Sequence, residues 1–509
     1  MAHDAIPAGP DLSDGVALAE VPMNGVLAGH VDGEPVLLAR LDDGLHAVDG
    51  ACTHYGAPLG EGLVEGGEIH CPWHHACFSL RTGAALKAPA FAPLGKWKVD
   101  VAGDRVFVRE RDRPPSPSPT APASSRARPG RIVIVGGGAA GFAAAERLRA
   151  LGYDGALTML SADRDPPCDR PNLSKDYLAG NAAPEWIPLR EPGFYPAQGI
   201  DLRLEREVDA IDPAAHEVRT MAGERHGYDR LLLATGAMPL PLPLPGFELP
   251  NVHRLGSLVD ADRLIAACAN ARTVALVGAG FIGLEAAGAL RARGLEVRVA
   301  APESLPMSRL LGPELGRVLV DLHERNGVRF HLGAGVTGYD GRALALANGE
   351  TTDAELLLVG IGVAPRTRLA ENAGIAVRKG ILVDAQLRTS ADRIYAAGDV
   401  ARYPHGGGDA RVEHWVHAQR QGQLAAENML GGERAFDEVP FFWTHHHGFD
   451  LRVSGHLDGW DEVRVDGEPQ RLDCIARYFR AGRLVAAASL GRDGALLEAA
   501  RALRIAATA

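Results

Sequence analysis

Two thiols and two imidazoles lie close together between Cys52 and His74. The stretch reads Cys52-Thr53-His54, then sixteen residues, then Cys71-Pro72-Trp73-His74. Each short motif carries one thiol and one imidazole. In one class of [2Fe–2S] centre, two thiolates hold one iron and two imidazoles hold the other. A tight loop lets both ligands of a pair point the same way without a helix between them. Structural zinc is the competing metal, since Cys₂His₂ also describes a zinc site. Zinc fingers, however, pair Cys with Cys and His with His. The mixed half-sites favour iron–sulfur, with Cys52, His54, Cys71 and His74 as the ligands.

Two further stretches can bind phosphates. Ile132-Val133-Ile134-Val135 is a continuous apolar run, as a buried parallel strand requires. It leads into Gly136-Gly137-Gly138-Ala139-Ala140-Gly141 and a helical stretch from Phe142 to Leu151. The order strand, G-x-G-x-x-G, helix is the dinucleotide-binding fingerprint. Gly136 permits the tight turn, Gly138 the approach of a pyrophosphate to the backbone, and Gly141 close packing of helix on strand. A second strand, Leu157–Leu160, ends near Asp163, the candidate partner of the adenosine ribose. The pattern repeats about 140 residues later: Thr273–Val277, then Gly278-Ala279-Gly280-Phe281-Ile282-Gly283, then a helix from Leu284 to Arg293. One such loop is weak evidence; two, each between strand and helix, imply two dinucleotides, and so a flavin that accepts hydride from a nicotinamide.

Both halves resemble known families. Residues 52–74 are similar to the Rieske [2Fe–2S] domains, with Pro72 after the third ligand. High-potential members carry a disulfide between the two loops and hydroxyl donors around the cluster. Here the first loop continues Tyr55-Gly56-Ala57, and Ala76 and Phe78 stand where donors would be. Fewer hydrogen bonds to the cluster imply a low-potential centre of the ferredoxin and dioxygenase kind. His75 reads as a surface or packing residue, and Cys77 as a small buried filler.

From residue 131 onward the chain resembles pyridine-nucleotide-dependent flavoprotein reductases, in the branch of ferredoxin reductases and apoptosis-inducing-factor-like proteins. The resemblance rests on both glycine loops, Ala234-Thr235-Gly236, Gly398-Asp399 and the branch signature Asp169-Arg170-Pro171-Asn172-Leu173-Ser174-Lys175. It implies that Asp399 bonds the ribityl and pyrophosphate portion of FAD, and that Arg170 lies along the cofactor. Lys175 sits at the flavin N5 edge and pairs with Glu285, so these two are the catalytic candidates. Trp415 and Trp443 are candidate flavin-edge aromatics. Gly360 and Gly362 border the nicotinamide. The acid often found at the end of the second strand of the NAD fold is replaced by Ala301, with Glu303 two residues later; NADH is the expected donor. A Rieske domain fused to such a reductase resembles a known subclass of apoptosis-inducing-factor-like flavoproteins.

Residues 13–112 read as an all-β domain of short alternating strands such as Pro35–Arg40 and Arg105–Val108. Residues 113–130 hold six prolines and form a linker, spanning up to roughly 50 Å if extended. The FAD-binding α/β domain is assigned to 131–252 and 381–435, the inserted NAD(P)-binding domain to 253–380, and a small α+β C-terminal domain to 436–509, ending in a helix from Leu496 to Leu503. In His445-His446-His447, side chains on an extended segment alternate faces. Only the outer pair could then converge, and a polar lid by the flavin is the reading.

Composition sets the limits. The chain has 509 residues and a net charge of −11, which argues against nucleic acid as a partner. Residues 1–112 hold sixteen acidic and eight basic side chains, so most of the acidity lies in the cluster domain. Six scattered cysteines fit a reduced cytoplasmic protein rather than a disulfide framework. Neither a signal peptide nor a membrane span is expected.

The expected function is electron transfer from NAD(P)H through FAD to the tethered Rieske cluster and on to an external acceptor such as an oxygenase, a cytochrome or a ferredoxin. A homodimer is a further expectation. Two alternatives stand beside it: a redox-responsive binding protein with slow turnover, and a disulfide or peroxide reductase using Cys168 alone.

Overall fold

A computed structural model describes residues 9–112 and 128–508. The linker expectation therefore falls mostly outside the described residues. They form two compact units, 9–112 with 492–508, and 128–491.

In the first unit a six-stranded antiparallel sheet runs, in spatial order, Val16–Ala17, Arg105–Arg111, Lys96–Ala102, Gly44–Asp49, Glu34–Leu41, Gly25–Val31. The strand Glu34–Leu41 shows why the sheet is buried on both faces. Val36 and Leu38 point into one core with Leu12, Val106 and Val108. Leu37, Ala39 and Leu41 point into another with Leu59, Ile69, Phe78 and the cysteines 52 and 71. Successive side chains alternate faces, so a nearly unbroken apolar run serves two cores. The second core fixes a small four-stranded sheet, Leu63–Glu65, Glu68–His70, Cys77–Ser79, Ala85–Lys87, from which the second cysteine loop emerges.

The closing helix, Asp493–Thr508, is longer than the eight residues expected: Asp493 lies in its first turn, and Arg504 and Ala506, good helix formers, extend its far end. It buries Leu496, Leu497, Ala500 and Leu503. It lies against Leu63–Glu65, with Arg504 Nη2 2.7 Å from Glu65 Oε2. The helix thus groups with the cluster unit and not with residues 436–491.

The second unit contains one plan built twice. Its first parallel sheet has the order Ile200–Arg203, Ala156–Leu160, Arg131–Val135, Arg230–Leu233, Ile394–Ala396. The second has the order Val252–His253, Leu356–Val359, Thr273–Val277, Glu296–Ala301, Val328–Leu332. Each carries a three-stranded antiparallel flap, Val208–Asp212 with Glu217–Thr220 and Arg225–Gly227 in the first, Val336–Tyr339 with Ala343–Leu346 and Thr351–Asp353 in the second. The central strands are buried throughout: Ile132, Val133 and Ile134 are at most 2% exposed. Each such side chain contributes about 1.5–3 kcal/mol of burial. In both sheets the glycine loop follows the central strand, at the carboxyl edge where open α/β sheets bind ligands. A five-stranded antiparallel sheet, Phe441–His446, Phe449–Gly455, Arg483–Leu490, Asp473–Arg480, Glu462–Glu468, completes the unit. No described helix is long and apolar enough to cross a membrane.

Candidate cluster and dinucleotide sites

The two cysteine loops have the same backbone. Cys52 N donates to Ala57 O at 2.9 Å, and Cys71 N to Ala76 O at 2.8 Å. Gly56 N donates to Cys52 O and His75 N to Cys71 O. The residue four after each cysteine is left-handed, Gly56 at φ +76° and His75 at φ +57°. His75 is therefore a buried packing residue whose backbone closes the loop. The two loops bring His54 Nδ1 and His74 Nδ1 to 3.2 Å, with their rings nearly perpendicular. Tyr55 stacks on His54 at 4.0 Å. Cys52 and Cys71 are buried and hydrogen-bonded to each other. That bond, followed by burial, pushes the Cys52 thiol well above its ordinary range. Burial pushes His54 down to about 4, which keeps its lone pair available. Two adjacent thiolates without a cation would repel in this apolar setting. The donor set, sulfurs together and Nδ1 atoms together, suits a two-iron centre divided by ligand type. Cys77 is fully buried and donates to Glu68 Oε2 at 3.0 Å.

The first glycine loop is built for close approach. A side chain at Gly136, at φ +115°, would meet Ala234 O at 2.1 Å; one at Gly141 would meet Gly136 O at 2.0 Å. Gly138 differs, for a Cβ there would enter open space. Gly138 also caps Ala139–Ala150 with no side-chain hydrogen bond. The helix amides therefore face that space, as a pyrophosphate requires. Asp163 and Arg170 meet at 2.7 Å. Thr235 Oγ1 donates to Arg366 O at 3.0 Å, and Gly236 is left-handed at φ +66°. Asp399 is pushed up to about 6, first by burial and then by Glu413, against the pull of Arg170 and Arg411. The backbone before Asp399 is held by Gly398 N donating to Gln421 Oε1 at 2.8 Å.

Lys175 and Glu285 do meet. Lys175 Nζ lies 2.8 Å from Glu285 Oε2 and donates to Pro171 O at 3.1 Å. Ser174 Oγ donates to the same Glu285 oxygen at 2.5 Å. Trp443 covers the ammonium, 5.7 Å from its ring centre. Trp415 begins the helix Trp415–Met429 and is partly buried.

The second loop repeats the first. A Cβ at Gly278, at φ +104°, would meet Gly360 O at 2.4 Å, and one at Gly283 would meet Gly278 O at 2.5 Å. Gly280 again opens onto free space. Gly362 is left-handed and its carbonyl accepts from Leu240 N. Ala301 ends its strand fully buried, and Glu303 follows in an exposed loop.

The histidine run departs from expectation. His445 pairs with Asp450 at 2.7 Å, while His446 and His447 both reach His323. The strand ends at His446, and His447 turns left-handed at φ +49°. The alternation that would have joined the outer pair stops there, so the inner and last histidines converge instead.

Residues 130–422 match the family described as pyridine nucleotide-disulphide oxidoreductase. The chain belongs to that family. Residues 16–98 match the Rieske [2Fe-2S] domain, and residues 441–508 the reductase C-terminal domain. Human apoptosis-inducing factor 3 is 33% identical over 486 residues, covering 92% of this chain and 80% of the relative. The ferredoxin–NAD(+) reductase component of the anthranilate 1,2-dioxygenase system of Burkholderia cepacia is 37% identical, covering 71% of this chain and 91% of the relative. Among solved structures, the covalent putidaredoxin reductase–putidaredoxin complex aligns with a TM-score of 0.72 at 29% identity, over 74% of this chain and 94% of that one. The chain is thus an NAD(P)H- and FAD-dependent oxidoreductase of ferredoxin-reductase type with a Rieske [2Fe–2S] domain.

Within this oxidoreductase, Cys168 is buried and its thiol is pushed up to about 11 by burial, which opposes a nucleophilic thiolate. Residues that the sequence reading passed over include Ser174, Gln421 and the Arg411–Glu413 pair. Ser174 was legible in principle, since it precedes Lys175 in the branch signature. Gln421 and Arg411 become visible only when the helix Trp415–Met429 and the loop before it fold back on Gly398-Asp399.

Proposed function

We propose that this oxidoreductase takes reducing equivalents from NAD(P)H at the second glycine loop and FAD at the first, passes them to its own Rieske cluster, and delivers them to an external one-electron acceptor. Bound FAD supplies the conversion of two-electron to one-electron transfer, and the cluster a one-electron relay. Gly136, Gly138 and Gly141, with Ala234, Thr235 and Gly236, hold the FAD phosphates and ring. Asp163 and Arg170 flank the adenosine part and Asp399 the ribityl part. Gly278, Gly280, Gly283, Gly360 and Gly362 receive the nicotinamide nucleotide, and Cys52, His54, Cys71 and His74 hold the cluster.

The observation that carries the reading is the Lys175–Glu285 ion pair, at 2.8 Å and largely buried. Glu285 lies on the helix that follows the second glycine loop, Lys175 belongs to the first fold, and Trp443 covers the ammonium. A fixed cation there favours negative charge on the reduced ring, and Glu285 with Ser174 prevents it from swinging away. Removing one member of a buried pair costs about 3–5 kcal/mol, so the pair also holds the two folds' shared edge. Replacement of Lys175 by Met is expected to slow flavin bleaching by NADH roughly 100-fold, by the measure of lost oxyanion donors, with FAD content retained. An unchanged bleaching rate in stopped flow would remove Lys175 from the mechanism.

The acceptor is proposed from the relatives: an oxygenase component or a ferredoxin-like carrier. The acidic surface of the cluster unit suits a basic partner. A homodimer and a cytoplasmic location complete the reading.

A further inference from the structure

Two sets of histidines in this chain touch at nearly the same distance, but with opposite chemistry. His54 and His74 present the same atom, Nδ1, to each other. That is convergence on a metal. In the second unit the contact is head to tail. His447 Nε2 lies 3.1 Å from His323 Nδ1, and His323 Nε2 lies 3.2 Å from His446 Nδ1. His446 Nε2 then lies 3.1 Å from Thr444 Oγ1. His323 uses a different nitrogen on each neighbour, so these rings do not close on one ion. Each neutral imidazole has one N–H and one lone pair. If every ring carries its proton on the same-named nitrogen, all three contacts are satisfied in one direction. If every ring carries it on the other nitrogen, all three are satisfied in reverse.

The chain has a wet end and a dry end. His447 is partly exposed, whereas His323, His446 and Thr444 are at most 1% exposed. The dry end approaches the proposed flavin site. On the helix Phe281–Ala292, Phe281 packs against Phe442 at 4.8 Å, and Gly288 abuts His447. Glu285 lies between them on the same face, four residues after Phe281 and three before Gly288. Thr444 lies between Phe442 and His446 on the inward face of its strand. Phe281 and Gly288 thus bracket Glu285 as Phe442 and His447 bracket Thr444 and His446, and Lys175, the partner of Glu285, bears electrostatically on His446. The rings are kept neutral: burial first, then neighbouring histidines and Lys175, push His446 far down, and burial pushes His323 to about 3. Arg291 bears on His447 from the same helix, while His445 is occupied by Asp450.

We propose that His447, His323, His446 and Thr444 form a proton relay between solvent and the Lys175–Glu285 pair. The inference rests on the electron-transfer reading above. NAD(P)H and two oxidised one-electron acceptors, iron–sulfur centres by class, give NAD(P)⁺, two reduced acceptors and one proton. That proton must leave a site lined by buried groups. A proton entering at Thr444 protonates His446 Nε2; His446 Nδ1–H passes to His323 Nε2, His323 Nδ1–H to His447 Nε2, and His447 Nδ1–H to water. No bond other than N–H and O–H changes, and each ring ends as its other tautomer.

The test uses the full chain with FAD and cluster, as wild type, Thr444→Val and His447→Gln. Both substitutions spare the buried His323. The first readout needs no turnover: ¹⁵N-histidine NMR reports the tautomer of each ring. The relay predicts that Thr444→Val, whose hydroxyl reaches His323 only through His446, changes the tautomer ratio at His323. The second readout is proton release to a pH-indicator dye within a single turnover, with enzyme in excess over NADH and ferricyanide as acceptor. In the wild type it keeps pace with acceptor reduction; in both variants it lags by at least about tenfold, the low side of general acid–base effects. Unchanged His323 tautomers, or proton release that keeps pace in both variants, overturns the relay. Failure of NADH to reduce the wild-type FAD is a separate result that overturns the electron-transfer reading itself.

Discussion

The two nucleotide folds of the second unit share a backbone and differ at their edges. In both, the first glycine of the loop is left-handed and faces a carbonyl from the neighbouring strand, Ala234 O in one and Gly360 O in the other. In both, the middle glycine opens onto space and caps a helix without side-chain help. The difference lies in what surrounds that cradle. The first fold adds the Asp163–Arg170 pair, Arg411 donating to the Asp399 backbone carbonyl, and Gln421 accepting from Gly398 N. The second ends its strand in buried Ala301 and leaves Glu303 in an exposed loop. A cradle with many side-chain contacts suits a resident cofactor; a sparse one suits a nucleotide that binds and leaves at each turnover.

The strongest way to break this comparison is to fill the two tight turns. Gly136→Val forces a β-branched residue into φ +115° and onto Ala234 O. It is expected to yield protein without FAD, read by absorbance and released-flavin fluorescence. Gly278→Val, equally strained, is expected to keep FAD and lose reduction by NADH. If both lose FAD, the folds are not separable.

Filling the open positions is gentler. Gly138 and Gly280 have backbone angles that alanine adopts, at φ −83° and −78°. Gly138→Ala should weaken FAD retention, and Gly280→Ala should raise KM for NADH, each by about tenfold for about 1.4 kcal/mol. Equal effects of both on KM alone would contradict the division of labour.

Asp399 sharpens the contrast through pH. Its folded value of about 6 lies above the ordinary 3.8. A raised carboxyl binds its proton more tightly in the folded state, so its favourable contribution is complete below about pH 4 and is lost as pH rises towards 6. Without FAD, Asp399→Asn is then expected to stabilise the protein above pH 6 by roughly 1–3 kcal/mol, while FAD binding weakens. A calorimetric scan against pH checks the sign.

The smallest effect is expected at Glu303. Glu303→Gln should change the ratio of NADH to NADPH use by less than about threefold, since an exposed charge contributes under about 1 kcal/mol. A larger change would mean that the loop closes on the ribose.

Local order explains what could be seen without the structure. Both glycine loops and both cysteine loops are contiguous stretches whose geometry is set by neighbours in sequence, so their residues and strands were legible. Lys175 and Glu285 are 110 residues apart, and their pairing was legible only through a family resemblance. Three features were not legible. His447 leaves the strand through one left-handed dihedral, which periodicity does not announce. His323 comes from a distant helix whose pattern looks like ordinary packing. The closing helix reads as part of the domain that precedes it, yet it sits with the cluster unit, because its apolar stripe does not specify which surface will bury it.

NADH, FAD and the Rieske cluster are proposed to form one internal electron path. Anaerobic titration of the purified protein with NADH, followed by absorbance and electron paramagnetic resonance, tests it most directly. Flavin bleaching followed by a reduced Rieske signal is the predicted result. A bleached flavin beside a cluster that stays oxidised would contradict it, and would point to a cluster that serves a donor outside the chain.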